Sequence, residues 1–190
     1  LGTLALFLLL ALFIGLVLRL LLMNLNHLFD RRLADTDLML GETRFAGVGC
    51  EVIAAYNYLT YEGFEPDMAK LAYDFEKNAL IAADGSLGSN PRKISGLFKA
   101  MGVGYKRFYK VDEAQAAVEE GKPVIVSYHI GLNIFSGIHT VFAVKEEGRL
   151  YVYNCYNSAA DKTEVESIYQ LMNKNSLFIV GYTEDDGQMR

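Results

Sequence analysis

Cys50, His139 and Asn154 are the residues of this chain whose types and order fit covalent chemistry. A thiolate attacks carbonyl carbon, but a free thiol with a pKa of about 8.5 needs activation. An imidazole can take and return the proton, and a third polar group must orient the imidazole. Cys50 stands in "VGCEVIAAYN", just after Gly49, where a helix is predicted to open. Unpaired N–H groups at a helix N-terminus favour a thiolate and can hold an oxyanion. Gly47 and Gly49 allow a tight backbone turn and leave room for a substrate. His139 follows "FSGI" and opens a strand, and Asn154 closes the next one. A turn near Glu146 to Gly148 sets Asn154 across the ladder from His139, within side-chain reach. A one-residue slip of register would undo that pairing.

Other readings of the same residues stay open. Cys50 can be a small buried hydrophobe, and Cys155 reads as a core residue of a strand. His129 ends a strand and is a rival base, while Asn157 is a rival orienting group. His27 follows an apolar run and reads as interfacial. Two cysteines are too few for a disulfide framework; they allow one bridge or two free thiols. Neither a CxxC nor an HExxH spacing occurs, so no metal is expected, and no cofactor.

The elements that must position these residues follow from periodicity. Cys50 to Tyr61 reads as a helix with Ile53, Tyr56 and Leu59 or Thr60 on one face. Pro66 is placed as the first residue of a second helix, with Met68, Leu71, Ala72 and Phe75 inward. "ADGSLGSNP" is a Gly/Ser loop, a sign of mobility or close ligand approach. Asn90 and Pro91 start a third helix, and Gly102 stops it. Then the period changes. "GYKRFY", "PVIVSY" and "SLFIVGY" read as strands, and residues 139–154 as a hairpin. "DEAQAAVEE" is a short helix, and Thr163 with Glu166 forms a capping box for one reaching Met172. Helices first and antiparallel strands second make an α+β domain over residues 40–190.

Residues 1–18 carry no charge, and the apolar run extends to Met23 around Arg19. Such a run makes roughly 35 Å of helix, enough for a bilayer core of about 30 Å. Residues 1–23 are therefore expected to be a transmembrane or membrane-anchor helix, and 24–39 a linker. No charged residue precedes the run and no small-x-small cleavage site follows it, which weighs against a signal peptide. Arg19, Arg31 and Arg32 on its C-terminal side favour a cytoplasmic domain. The net charge is −5 and the basic residues are scattered, so nucleic acid is not an expected partner.

The order Cys, His, Asn resembles the papain-like cysteine peptidase superfamily. The chain is most similar to the small bacterial branch of bacteriocin-leader-processing peptidases. The matching stretches are "GVGCEVIAAYNYL" (47–59), "GIHTVFAV" (137–144) and "LYVYNCYN" (150–157), and "SNPRKISGLFKAMGVGYKRFY" (89–109) between them resembles that branch too. The resemblance implies a papain-like fold, with N-terminal helices packed on a C-terminal antiparallel sheet. It implies Cys50 as nucleophile, His139 as general base and acid, and Asn154 as the orienting residue. Two departures stand out. Arg44 occupies the place of the Gln that donates to the oxyanion, leaving Arg44, Thr43, Asn26 or the Cys50 N–H to substitute. Glu51 replaces a small residue and either narrows the pocket or faces solvent. The implied function is thiol-dependent hydrolysis of a peptide or related acyl carbonyl through a thioester. The alternatives are acyl transfer on the same fold and an inactive peptide-binding module.

Overall fold

A computed structural model describes residues 38–78, 80–81, 85–131, 137–155, 162–172 and 176–185. The apolar run 1–23 and most of the linker, with Asn26 and His27, lie outside the described residues, as does Asn157. Among the described residues, no helix is long and apolar enough to cross a membrane.

The architecture is α+β, as expected. A short hairpin, β1 (Met39–Leu40) and β2 (Thr43–Arg44), leads into a one-turn helix α1 (Phe45–Val48). Three longer helices follow: α2 (Cys50–Tyr61), α3 (Met68–Lys77) and α4 (Ile94–Ala100). The second half holds β3 (Lys106–Phe108), α5 (Val111–Glu119), β4 (Val124–His129), β5 (Ile138–Glu146) and β6 (Arg149–Tyr153). It ends with β7 (Thr163–Val165), the single turn α6 (Ile168–Leu171) and β8 (Leu177–Thr183). The six strands form one antiparallel sheet in the order β3-β8-β4-β5-β6-β7.

The sheet is covered on both faces. Ile125, Phe142, Val144, Val180 and Tyr182 pack with α2, α3 and α4. Val124, Val126, Val141, Ala143 and Val152 alternate with them and pack on the other face with α5 and Ile168. Burial on both faces explains why "VIV" and "VFAV" run apolar without a polar alternation.

α2 is the central element. Every residue from Glu51 to Thr60 is buried, so the helix has no solvent face and little amphipathic signature. The Tyr58 ring stacks on Phe98 at 5.1 Å and meets the edge of Phe142 at 6.4 Å, joining α2 to α4 and to β5.

Two helix starts differ from expectation. Asp67, not Pro66, opens α3: its carboxylate accepts the Lys70 N–H at 2.7 Å, and Pro66 stands one residue further out. Thr163 belongs to strand β7, where it pairs with Val152, so no capping box forms. The helix that follows is only Ile168–Leu171, and the Gln115 side chain of α5 accepts its first N–H at 2.8 Å. Asn90 does cap as expected, accepting the Arg92 N–H at 3.1 Å ahead of Pro91.

Candidate functional site

The site forms where α2 begins and where β6 parts from β5. The hairpin turns on Glu147 and Gly148, both with positive φ (50° and 81°). Two such residues match the twist of the flanking strands. They pair Glu146 with Arg149, and the ladder ends at Phe142 and Tyr153. That register does not set Asn154 opposite His139, correcting the arithmetic from the sequence. Asn154 instead takes a left-handed conformation, φ 62°, and turns the chain out of the strand. A non-glycine residue there is uncommon, and asparagine tolerates it better than most.

This turn brings His139 and Asn154 together through a different group. The His139 ring is 4% exposed, and its Nε2 lies 2.6 Å from the main-chain carbonyl of Asn154. A carbonyl can only accept, so Nε2 carries the proton and Nδ1 is the lone-pair nitrogen. The Asn154 side chain does not hold the imidazole. Its amide donates to the Thr140 carbonyl at 3.2 Å and reaches the Cys50 carbonyl at 3.5 Å.

Cys50 is the first residue of α2, as the sequence implied, and α1 stands directly before it. Gly49 is required here by packing: a Cβ at that position would lie 2.7 Å from the buried Phe45 ring. The Thr140 N–H is directed at the Cys50 sulfur. Thr140 follows His139 in β5, so this contact sets the sulfur beside the strand that carries the imidazole. Cys50, His139 and Asn154 thus sit in one hydrogen-bonded network.

The electrostatics depart from expectation. Burial pushes the Cys50 thiol well above its ordinary value, and the Glu51 carboxylate raises it further by charge and by accepting the S–H. N–H groups of Thr140 and Glu51 pull the other way without winning. Burial holds His139 below its ordinary value, against the Asn154 carbonyl, which favours the protonated ring. The resting pair is a neutral thiol and a neutral imidazole, not a thiolate made by a helix terminus.

Of the two roles the sequence left open for Glu51, burial rules out the solvent-facing one. Glu51 is 2% exposed, and its Oε2 accepts from Cys50 Sγ at 3.2 Å and from Ser89 Oγ at 2.9 Å. Burial raises it from 4.5 to about 6. The available signal was a lone acid inside an otherwise uncharged helix, "CEVIAAYNYL". Ser89 comes from the Gly/Ser loop and is itself buried, and the next residue's N–H, that of Asn90, reaches the Leu80 carbonyl at 2.6 Å.

The remaining candidates scatter. Arg44, in the place of the expected Gln, is exposed on β2, where it pairs with Met39, and Thr43 pairs with Leu40. His129 pairs with Ile138 and Leu177 at the end of β4. Cys50 and Cys155 are both free thiols, and Cys155 packs against the α5-side core. Tyr128 meets the His139 ring edge-on at 6.0 Å. Among the described residues, no group of three or more His, Cys, Asp or Glu could hold a metal ion. The chain matches no protein-family model, no curated protein and no solved structure.

Proposed function

We propose that this chain is a papain-like cysteine peptidase or related acyl-transfer hydrolase. The observation that carries the reading is the hydrogen bond from His139 Nε2 to the Asn154 carbonyl. It fixes the tautomer in which Nδ1 can take a proton from Cys50. The Cys50 sulfur attacks a peptide or acyl carbonyl, and its proton passes to His139. The carbon–nitrogen or carbon–oxygen bond then breaks as His139 protonates the leaving group, and a thioester remains. Water, or an amine in acyl transfer, resolves the thioester with His139 again as base. Proton transfer accompanies attack, because thiol and imidazole both rest neutral. The uncharged run 1–18 supports attachment to a membrane through residues 1–23, with Arg19, Arg31 and Arg32 favouring a cytoplasmic domain.

The test is hydrolysis of a fluorogenic peptide library by the full chain, by Cys50→Ala and by His139→Ala. Both variants should lose at least about 10³-fold in rate. Hydrolysis that survives in Cys50→Ala would remove the assignment. The neutral thiol also favours a second reading, a module that binds peptides without cleaving them. Unchanged peptide binding by Cys50→Ala, with no turnover by the wild type, would decide for it.

A further inference from the structure

We propose that Glu51 is a positioning residue for Cys50: its buried carboxylate, held by Ser89, accepts the S–H, fixes the sulfur and restrains thiolate formation until Glu51 is neutralised. The proposal rests on Cys50 being the nucleophile. It does not depend on what Cys50 attacks.

The geometry is built from both sides. Glu51 leaves the first turn of α2 and is enclosed by the protein. Its Oε2 accepts from sulfur at 3.2 Å and from the Ser89 hydroxyl at 2.9 Å. Ser89 is itself fixed by the bridge between Ile81 and Ser89. Gly88 lies alongside at φ 71°, and a Cβ there would come within 3.9 Å of Oε2. Gly88 and Ser89 therefore cover the carboxylate.

The chemistry follows from charge. A thiolate beside an ionised carboxylate sets two negative charges together in a buried site, so the S–H keeps its proton. A protonated Glu51 reverses this, because its O–H can donate to the sulfur. The other titratable groups nearby are Tyr128 of β4, which lies within the field of a Cys50 charge, and His139 of β5, which Tyr128 meets edge-on. None of them carries a fixed positive charge, and among the described residues no Lys or Arg offsets Glu51. Glu51 titrates near 6 and His139 below its ordinary value. Mildly acid solution thus leaves Glu51 neutral.

The experiment measures the rate at which iodoacetamide alkylates Cys50, from pH 5 to pH 9, in the full chain carrying Cys155→Ser. At pH 7.5, Glu51→Gln should react about tenfold faster than its parent, while at pH 5.5 the two should agree within about twofold. Glu51→Asp, which keeps the charge, should remain slow at pH 7.5. A Glu51→Gln profile that overlays the parent at every pH overturns the proposal, as does an equal change at both pH values. Should Glu51→Gln fail to fold, the parent profile decides by itself. It must show a thiol titrating above the ordinary value of about 8.5 together with a break near pH 6. A single titration at or below 8.5 overturns the proposal. Peptide hydrolysis is measured separately, so loss of the peptidase reading leaves this result standing.

Discussion

Replacing Asn154 separates its main chain from its side chain. In the structure the imidazole is held by the Asn154 carbonyl, which every substitution at 154 keeps. Asn154→Gly removes the amide that bonds the Thr140 and Cys50 carbonyls, a loss of about 1 kcal/mol. It also relieves the left-handed conformation, worth a similar amount, so the net change in stability should be within about 1 kcal/mol. Asn154→Ala loses the same bonds and places a Cβ in a region that L-residues avoid. Its cost should be about 2 kcal/mol, or roughly 4–8 °C in Tm for a chain of this size. Alanine should thus be the worse substitution for stability, while neither should abolish activity. With the carbonyl in place, peptide hydrolysis by Asn154→Gly should stay within about tenfold of wild type, near 1.4 kcal/mol. If the side chain oriented the ring, the loss would approach 10⁴-fold. Long-range ¹H–¹⁵N NMR of the His139 ring gives an answer that needs no substrate. The Nε2–H tautomer should dominate at pH 8 in wild type and in Asn154→Gly. A switch to Nδ1–H, or a 10⁴-fold loss on Asn154→Gly, would refute the carbonyl assignment.

Two further predictions concern stability. Glu51 binds its proton more tightly when folded, about 6 against 4.5, so its favourable contribution is complete below pH 4.5 and lost as pH rises through 6. Glu51→Gln should therefore raise the unfolding free energy by about 2 kcal/mol at pH 7.5 and change it little at pH 4, by urea titration. Equal effects at the two pH values would contradict that linkage. In β8, a Cβ on Gly181 would lie 2.1 Å from the Phe108 ring. Gly181→Ala should destabilise by roughly 1–3 kcal/mol, and Phe108→Leu in the same chain should recover part of the loss. Simple additivity in a thermal-melt cycle would show that the two residues do not compete for space.

Much of the fold was legible from pattern because its signals are local. The 3.6-residue spacing of Leu71, Ala72 and Phe75, the Asn90–Pro91 start and the apolar runs of β4 and β5 depend on near neighbours. The boundaries that failed were decided elsewhere in the molecule. Thr163 carries a capping signature but is recruited as a strand by β6, and α6 starts at Ile168, where the Gln115 side chain of α5 accepts the first N–H. The covering of both sheet faces was also invisible, since an apolar run reads alike whichever element buries it.

For the candidate site, the sequence by itself determined which residues could act, namely a cysteine opening a helix and a histidine and asparagine on adjoining strands. The tertiary structure decided how they meet. A two-residue turn sets the hairpin register, and the left-handed Asn154 then offers the imidazole a carbonyl in place of its side chain. Glu51 and Ser89 stand 38 positions apart, and only the approach of Gly88 and Ser89 to α2 makes them one unit with Cys50. A carboxylate beside a cysteine in sequence has no fixed effect on the thiol. Burial removes the water that would screen it, and that makes Glu51 the dominant charge acting on Cys50.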